Sequence, residues 1–352
     1  MMLSAGNGFI MQSVKYSRDN AGQSLKKYIL LKQGELAYNH GASKAKQFGC
    51  CYELTEPEAR IPYVYHCFKV SDTEYTPFVA ATLNNPKMDK QLKRLVSSSV
   101  RMDGLLNISF DDYMSVSLHL PSFAEQKKIA DFLKKLDERI TAQEMLVASL
   151  KKYKRGVVSA ILSHRIVFSD ADGKPYPEWT SCTLQDAVVF LDGQRKPLES
   201  ADRARRQGKY PYYGASGIID YIDDYIFDEP LLLLGEDGAN IINRSTPLCF
   251  IATGKYWVNN HAHVMRPQNG HNIKFLCELL ESLDYTRYNT GTAQPKLNQE
   301  KCRGIELNLP IYEEQCRIAD FLSSLDQKAE REQANLDCLL LFKRGLMQQL
   351  FI

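Results

Sequence analysis

Hydrophobic positions repeat with a coiled-coil period over one long segment in the middle of the chain. The spacing of its seam alternates between four and three residues, at Ile129, Leu133, Leu136, Ile140, Gln143, Val147, Leu150, Lys154, Val157 and Ile161. This 3.5-residue period predicts a helix that packs along one stripe against a partner helix. We expect the helix to start at Pro121, where Ser122 and Glu125 form a capping box, and to stop near Ser163. Roughly 40 residues at 1.5 Å each give about 60 Å of helix.

A second segment repeats the first without a gap. Its seam positions are Ile318, Leu322, Leu325, Ala329, Glu332, Leu336, Leu339, Lys343, Leu346 and Leu350. The two helices open alike, with LPSFAEQKKIADFL at 120–133 and LPIYEEQCRIADFL at 309–322. Polar residues break both seams at matching places, which costs stability but fixes register. We therefore expect an internal duplication whose two helices pair with each other, antiparallel.

The remainder of the chain forms two blocks, each placed before one long helix. In the first block, strands are predicted at 28–31, 64–70 and 116–120, and one helix over 78–93. In the second block, which a Pro- and Gly-rich linker at 170–177 opens, a helix is predicted at 273–280. Its predicted strands are 187–191, 217–222, 230–234, 249–252 and 264–265.

These elements predict an α+β fold, in which two α/β domains are separated by two long helices that pair as an antiparallel coiled coil. The predicted boundaries are 1–119 for the first domain, 120–163 for the first helix, 164–308 for the linker and second domain, and 309–352 for the second helix.

Composition restricts the kinds of ligand and the cellular location that are expected for the chain. The 352 residues carry a net charge of only +2, so a nucleic-acid surface would have to be local. The nine cysteines are irregularly spaced without a C-x-x-C motif, which disfavours a zinc site or a disulfide framework and favours a reducing, cytoplasmic location. No apolar run reaches the roughly 18 residues that a membrane span needs, so no membrane partner is expected.

Motifs for catalysis are absent from the sequence. It contains no G-x-G-x-x-G, no G-x-x-x-x-G-K-[ST] and no Asn-Pro-Pro-aromatic sequence; Asn85-Pro86-Lys87 does not match the last of these. The carboxylates Asp220, Asp223 and Asp224 cluster, but without a following catalytic lysine they indicate a turn surface. We therefore expect no enzymatic activity in this chain, and no bound cofactor or metal.

The order of block, long helix, block, long helix resembles the specificity subunit of type I restriction-modification enzymes. The resemblance covers the whole chain and is carried by the two helix openings and by their closing sequences, Tyr153–Gly156 and Phe342–Gly345. The approaches RMDGLLNIS at 101–109 and TGTAQPKLN at 290–298, and Pro177-Glu178-Trp179, also resemble the family.

The resemblance implies that each block is a target-recognition domain, and that the helices space the domains and dock partner subunits. The implied partners are double-stranded DNA, two methyltransferase subunits and restriction/translocase subunits. S-adenosylmethionine and ATP would belong to those partners. Because the two blocks differ in sequence, the two halves of the DNA target would differ as well. An unread spacer would separate the halves, and the length of the helices would set its length. A coiled-coil scaffold that binds only proteins is the alternative.

The first block departs from the family pattern. The segment Ser4–Gly8 is comparable to Tyr213–Gly217 in the second block, yet it lies almost at the N-terminus. We therefore expect a shortened first domain. A truncated or phase-variant product, a start at an internal methionine and a naturally short domain all remain open, and with them the specificity of this domain.

Candidate DNA contacts in the second domain are basic, amide and hydroxyl side chains, which suit phosphate and base contacts. They are Gln194, Arg195, Lys196, Arg203, Arg205, Arg206, Lys209, Tyr212, Tyr213, Ser216, Asn243, Arg244, Asn259, Asn260, Thr292, Gln294 and Lys296. A solvated charge run is the alternative for the basic stretch, and plain turn chemistry for 292–296. His261 and His263 lack a third ligand, so a metal site is not expected.

Candidates in the first domain come from a polar, basic loop and its flanks. They are Gln12, Lys15, Asn39, Ser43, Lys44, Lys46, Ser97, Ser98 and Arg101, with an ordinary exposed loop as the alternative. On the helices, Phe132 and Phe321 lie off the seam and suit either core packing or docking of a partner. The closing Lys-Arg pairs suit either phosphate contact or the helix C-terminal carbonyls.

Overall fold

The computed structural model describes residues 1–4, 8–15, 28–43, 46–96, 105–291 and 294–351. The chain divides into two compact units, Met1–Met145 with Ala334–Ile352, and Leu146–Gln333. Each unit contains an α+β domain together with a part of each long helix. No helix among the described residues is long and apolar enough to cross a membrane.

The first unit contains small antiparallel sheets and short helices. Its elements are β1 (Met2–Ser4), β2 (Gly8–Ile10), α1 (Gln12–Lys15), β3 (Ile29–Lys32), β4 (Leu36–Asn39), β5 (Cys50–Glu53), β6 (Glu58–Ile61), β7 (His66–Phe68), α2 (Thr76–Leu83), α3 (Pro86–Leu95), α4 (Phe110–Met114) and the first part of α5 (Phe123–Leu162). Strand β1 pairs with β2, β3 with β6, and β4 lies between β5 and β7. The side chains of β4 and β5 pack on α2 and α3 to form its core.

Two predictions for the first block are wrong. The single helix predicted over 78–93 is two helices, because Pro86 cannot continue α2 and instead starts α3, whose Lys87 N–H is capped by the Asn85 side chain at 2.9 Å. The strand predicted at 116–120 does not form. Its backbone is held instead by Gln91, whose amide bonds both the N–H and the carbonyl of Ser117 at 3.0 Å.

The second unit is richer in β-structure. Its elements are the remainder of α5, β8 (Thr180–Thr183), α6 (Leu184–Ala187), β9 (Val188–Phe190), α7 (Ser200–Arg205), β10 (Gln207–Gly214), β11 (Gly217–Ile222), β12 (Phe227–Asp228), β13 (Leu231–Gly235), α8 (Asn240–Asn243), β14 (Cys249–Ala252), β15 (Lys255–Val258), β16 (Ala262–Pro267), α9 (Ile273–Ser282), α10 (Gln299–Arg303), β17 (Glu306–Leu309) and the first part of α11 (Tyr312–Leu350).

Two four-stranded sheets organise this domain, in the orders β11-β10-β15-β12 and β14-β13-β16-β9, beside the pair β17-β8. The run of four leucines in β13 is fully buried, since alternate side chains enter two different cores. Leu232 and Leu234 join the core that includes α9 and the long helices, and Leu231 and Leu233 join the core against β15.

The long helices pair antiparallel within each unit. In the first unit, Leu136 and Ile140 early in α5 pack with Leu336, Leu339 and Leu346 late in α11. In the second unit, the end of α5 packs with the start of α11 through Val157, Ile161, Ile318 and Leu322. The predicted helix pair and the α+β fold class are confirmed. Three further seam residues of the first unit, Ile129, Leu133 and Leu350, share one apolar cluster. In the second unit, Leu325 packs against the main core and Leu150 is half-buried.

The lysines that interrupt both seams form equivalent ion pairs with the aspartates of the repeated Leu-Asp sequence. Lys154 Nζ lies 2.6 Å from Asp326 and 2.6 Å from Glu278 in the second unit. Lys343 pairs with Asp137 in the first unit. In each unit, the charge of the seam lysine is therefore paired with a carboxylate of the partner helix. This ion pair offsets the cost of placing a polar residue in the apolar seam.

The glutamine of the repeated opening sequence attaches each domain to its helix. Gln126 is fully buried; its carbonyl accepts from the Tyr75 N–H at 2.9 Å and its amide donates to the Pro121 carbonyl at 2.9 Å. Gln315 does the same with the Asn272 N–H and the Pro310 carbonyl, both at 2.9 Å. Tyr75 and Asn272 are the N-cap residues of α2 and α9. One side chain thus fixes a domain helix to a long helix in each copy.

Replacing Gln315 by methionine is expected to destabilise the second unit by about 1–3 kcal/mol, because a buried N–H and a buried carbonyl lose their partner. The measurement is the urea midpoint and slope of the full chain. Gln327→Met, at an exposed position of the same helix, is the control and should stay within about 0.5 kcal/mol. Equal effects of the two substitutions would show that Gln315 does not anchor the domain.

Candidate nucleic-acid interface

Three arginines of the basic stretch at 194–209 are neutralised inside the second domain. Arg195 lies 2.8 Å from Glu236 and donates to the Ala262 carbonyl at 2.8 Å. Arg203 pairs with Asp220 at 3.1 Å, and Arg206 with Asp223 at 2.9 Å. These three side chains link loops and strands within the domain. Because each is paired with a carboxylate, fewer positive charges are available for DNA than the sequence predicted.

The other polar residues of this stretch are exposed and fall at two places. Lys196 lies beside the end of β15, since its N–H contacts the Val258 carbonyl at 3.4 Å, and the exposed Gln194 precedes it. Arg205 and Lys209 lie at the other end, where α7 leads into β10. Strand β10 (Gln207–Gly214) runs from the second place towards the first, since Tyr213 near its end pairs with Val258.

Tyr212 is a correction to the predicted contacts. Its ring is 1% exposed, and its hydroxyl accepts the Leu198 N–H at 2.9 Å, so the side chain fills the core under β10. Tyr213 is half-buried against Phe250 and Tyr256. Alternation along a strand explains the difference, because successive side chains of β10 point to opposite faces.

Strands β10 and β15 run parallel, so the segments that follow them meet at one end of the domain. The turn after β10 contains Ser216, and the turn after β15 contains Asn259 and Asn260. Asn259 is 4% exposed and its side-chain oxygen accepts the His261 N–H at 2.8 Å, so it shapes the turn. Its predicted DNA contact is therefore corrected, whereas Ser216 and Asn260 are exposed.

Two further loops reach the same end. The Glu236 N–H donates to the His261 carbonyl at 2.8 Å, and the Gly238 N–H donates to the Pro295 carbonyl at 3.0 Å. A side chain at Gly235 would place its Cβ 2.6 Å from the Ala215 carbonyl, so glycine permits this close packing. We call the exposed residues gathered here the polar end: Lys196, Ser216, Asn260, Gln294 and Lys296.

A buried charged network supports the polar end from inside. His263 is fully buried; its Nδ1–H donates to Asp192 at 2.7 Å and its Nε2–H to the Leu297 carbonyl at 2.9 Å. Burial alone would lower the pKa of His263, but hydrogen bonds to Asp192 and Cys302 outweigh it and raise the pKa to about 10. The ring is therefore a cation that ties β16 to the loop before α10.

The two histidines once considered as a metal pair have separate partners. His263 uses both ring nitrogens in the network above, and His261 Nδ1 lies 2.7 Å from Asp237. Among the described ranges, no three His, Cys, Asp or Glu side chains are arranged to hold a metal ion. All nine cysteines lie in the described residues and are free thiols.

Other candidates of the second domain lie away from the polar end. Arg244 has a left-handed backbone with φ of 51° and pairs with Glu281 at 2.9 Å, so it caps the turn after α8. Asn243 is exposed and its side chain accepts the Ser245 N–H at 3.2 Å. Thr292 lies outside the described residues.

In the first domain the candidates are mostly engaged in local hydrogen bonds. Gln12 donates to the Tyr28 hydroxyl at 3.2 Å, and Asn39 accepts the Gly41 N–H at 2.9 Å. Ser43 accepts the Lys46 N–H at 3.0 Å, and Lys46 Nζ donates to the Asn84 carbonyl at 2.6 Å. Lys44, Ser97, Ser98, Arg101 and the Lys15 side chain lie outside what the structure describes.

Strand β11 presents an exposed apolar strip that its sequence did not predict. Ile218, Ile219 and Tyr221 are each about half exposed, with 46%, 52% and 50% of their surface accessible. The apolar run GIIDYI predicts a buried strand, and only the position of β11 at the edge of its sheet shows otherwise. Apolar side chains beside a polar, basic surface suit contact with thymine methyl groups.

Each unit contains an α+β domain that a buried glutamine fixes to one of the two duplicated long helices. Residues 176–338 match the family model for the type I restriction modification DNA specificity domain. The polar end and its supporting network lie within this match. The resemblance to type I specificity subunits is confirmed.

Proteins named as type I specificity subunits are similar to part of the chain. The chain is 32% identical over 149 residues to a Haemophilus influenzae protein assigned as the type I restriction enzyme specificity subunit S.HindORF215P, covering 42% of this chain and 37% of that protein. It is 30% identical over 145 residues to the type I restriction enzyme EcoprrI specificity subunit of Escherichia coli, covering 41% and 35%. The matched segment thus spans little more than a third of either relative.

Solved structures share the fold over most of the chain. The type I restriction-modification S subunit from M. genitalium superposes with a TM-score of 0.58 at 16% identity, over 93% of this chain and 85% of that one. A chain from a study of complex assembly and conformational transition in a type I R-M system gives 0.55 at 13% identity, over 92% and 82%. At these identities the likeness shows the fold alone.

Substituting His263 by glutamine is expected to destabilise the second unit by about 3–5 kcal/mol below pH 6.5, because Asp192 loses its buried cationic partner. Since the pKa of His263 rises from 6.5 to about 10 on folding, its contribution is complete below 6.5 and is lost as pH rises towards 10. Urea unfolding at pH 6, 8 and 10 checks this. His261→Gln is the exposed control; a constant gap between wild type and His263→Gln across this range would contradict a cationic His263.

Proposed function

We propose that this chain is the DNA-recognition subunit of a type I restriction-modification complex. The observation that carries the proposal is the polar end, where four loops of the specificity domain present lysine, amide and hydroxyl groups around a rigid charged network. Side chains held on such a support suit base recognition, which needs fixed hydrogen-bond geometry.

Within the second domain, the roles follow from the chemistry of each group. Asn260 and Gln294 have amides that can donate and accept together at an adenine edge, and Ser216 suits any base. Lys196 and Lys209 supply positive charge for phosphates. Lys296 and Arg205 add charge that is partly offset by Glu236 at 3.4 Å and Asp202 at 4.0 Å. The exposed strip on β11 adds apolar contacts. The first domain would read a second, different half through the polar residues around Asn39–Lys46.

The helix pair would set the gap between the two halves of the target. Half-sites on one face of B-DNA lie about 34–36 Å apart per helical turn, which is within the reach of helices of this length. An equivalent Lys–Asp pair in each unit supports a helix pairing that cannot slide in register. The chain would therefore read a split sequence with an unread spacer.

Partner docking is proposed for the long helices. Three pairs of repeat-equivalent aromatics are exposed in both copies: Phe123 and Tyr312, Phe132 and Phe321, Tyr153 and Phe342, with exposed fractions between 37% and 58%. Aromatics matched in two copies suit two equivalent docking sites for methyltransferase subunits, through which restriction/translocase subunits would join. The chain itself would perform no chemistry; S-adenosylmethionine and ATP would bind to those partners.

The full chain, assembled with a methyltransferase subunit, should select duplexes with a two-part motif from a random pool. Asn260→Ala and Gln294→Ala are each expected to lose about 1–3 kcal/mol of discrimination at single positions of one half, because an amide–base pair is lost. The other half should be unchanged.

Gln185→Ala, at an exposed amide of the same domain away from the polar end, is the matched control and should leave selection intact. The absence of any sequence-selective retention by the assembled wild-type chain would overturn the proposed function. Retained selectivity in both polar-end variants would refute the assignment of the polar end while leaving the function in place.

A further inference from the structure

A groove in the first unit concentrates positive charge, and of its cations only Lys46 is among the candidate DNA contacts of the first domain named above. It has a volume of about 470 Å³ and lies between the start of α3 and the last turns of α11. Five cations line it: Lys46, Lys87, Lys90, Lys343 and Arg344. Leu340 and Met347 form an apolar floor, and none of the described residues that line the groove is a carboxylate.

The walls of the groove are fixed by hydrogen bonds. Asn85 donates from its side chain to the Met347 carbonyl at 2.9 Å, which joins α3 to α11. Lys46 donates to the Asn84 carbonyl at 2.6 Å, so its ammonium is held at the rim. These hydrogen bonds preorganise the groove, which lowers the cost of binding.

Three of the five cations are free to bind a ligand. Lys343 pairs with Asp137, and Lys46 lies near the half-buried Asp89, whose raised pKa comes from burial and is partly offset by that lysine. Lys87, Lys90 and Arg344 are exposed, and the ion pairs of the described residues include none of them. The N-terminus of α3 adds the positive end of its dipole, although Asn85 already caps the Lys87 N–H.

The repeat provides an internal comparison. Lys154, Arg155, Val158 and Ser159 of α5 occupy the positions equivalent to Lys343, Arg344, Met347 and Gln348, and they line a groove of about 740 Å³ in the second unit. That groove also contains Glu278, Glu281 and Glu306, and Lys154 is paired with two carboxylates. The same helix surface thus faces acidic residues in one copy and lysines in the other.

We propose that the groove of the first unit binds a phosphate group of the DNA backbone, and that the groove of the second unit does not. Resting on the proposed function, this adds a sequence-independent contact beside the polar residues around Asn39–Lys46, on one half of the chain only. Ammonium and guanidinium groups around an apolar floor suit a phosphate with its adjoining sugar.

The test compares two double variants of α3 that remove the same charge. Lys87→Gln with Lys90→Gln removes two groove cations; Lys93→Gln with Arg94→Gln removes two exposed cations of the same helix outside the groove. Affinity of the full chain for a duplex of arbitrary sequence is measured across salt concentrations. Each phosphate contact adds about 0.9 to the slope of log affinity against log salt. The groove variant should therefore lose up to about 0.9 of the slope, and the control much less.

Arg344→Gln and Arg155→Gln form a second matched pair at repeat-equivalent positions. The first should lower the slope by about 0.9 and the second should not. Pyrophosphate binding, measured by calorimetry, separates a free phosphate from the DNA backbone as the source. Groove variants that lose pyrophosphate binding but keep the DNA slope would retain the phosphate site and reject DNA as its ligand.

Equal slope changes in the groove and control variants, with pyrophosphate binding unchanged, would overturn the inference. So would groove variants that weaken only assembly with a methyltransferase subunit, since an acidic protein segment would then be the ligand. If the wild-type chain binds no DNA at all, the proposed function fails, and the pyrophosphate measurement alone decides whether the groove holds a phosphate.

Discussion

The antiparallel pairing of α5 and α11 is the interaction on which the rest of the structure depends. The first unit combines Met1–Met145 with Ala334–Ile352 and is therefore discontinuous in sequence, whereas the second unit is the continuous stretch Leu146–Gln333. Apolar seam residues supply the burial, and the Lys–Asp pairs Lys154–Asp326 and Lys343–Asp137 fix the register. Polar groups in a seam cost stability, and their value lies in excluding alternative alignments. Within its own unit, each of the buried glutamines Gln126 and Gln315 then fixes the domain to a long helix.

The helix pair was predictable because a 3.5-residue period over 40 residues, repeated in two copies, leaves few alternative structures. The buried glutamines were not recognised, although their identity in both copies was a visible signal. Short elements were harder to predict. Residues 116–120 have the composition of a strand, yet the Gln91 amide takes the backbone groups of Ser117, and no local pattern predicts a partner 26 residues away.

The candidate DNA contacts were also hard to predict, because their partners are distant in sequence. The sequence grouped six basic residues as one DNA-binding stretch, but Arg195, Arg203 and Arg206 are neutralised by carboxylates distant in sequence. Fewer candidate contacts are therefore exposed than the sequence predicted. Those at the polar end lie on loops that the parallel pairing of β10 and β15 brings together. The two copies also differ in charge. The repeat-equivalent helix surface faces lysines in the groove of the first unit and glutamates in the groove of the second.

Shortening the helix pair tests most directly whether it acts as a ruler. One heptad would be removed from α5 between Asp137 and Lys154 and one from α11 between Asp326 and Lys343, which keeps both ion pairs and the phase of the seam. Seven residues at 1.5 Å are about 10 Å, or roughly three base pairs at 3.4 Å. The selected motif should keep both halves and lose about three base pairs of its gap. A folded variant that selects the original gap would contradict the account.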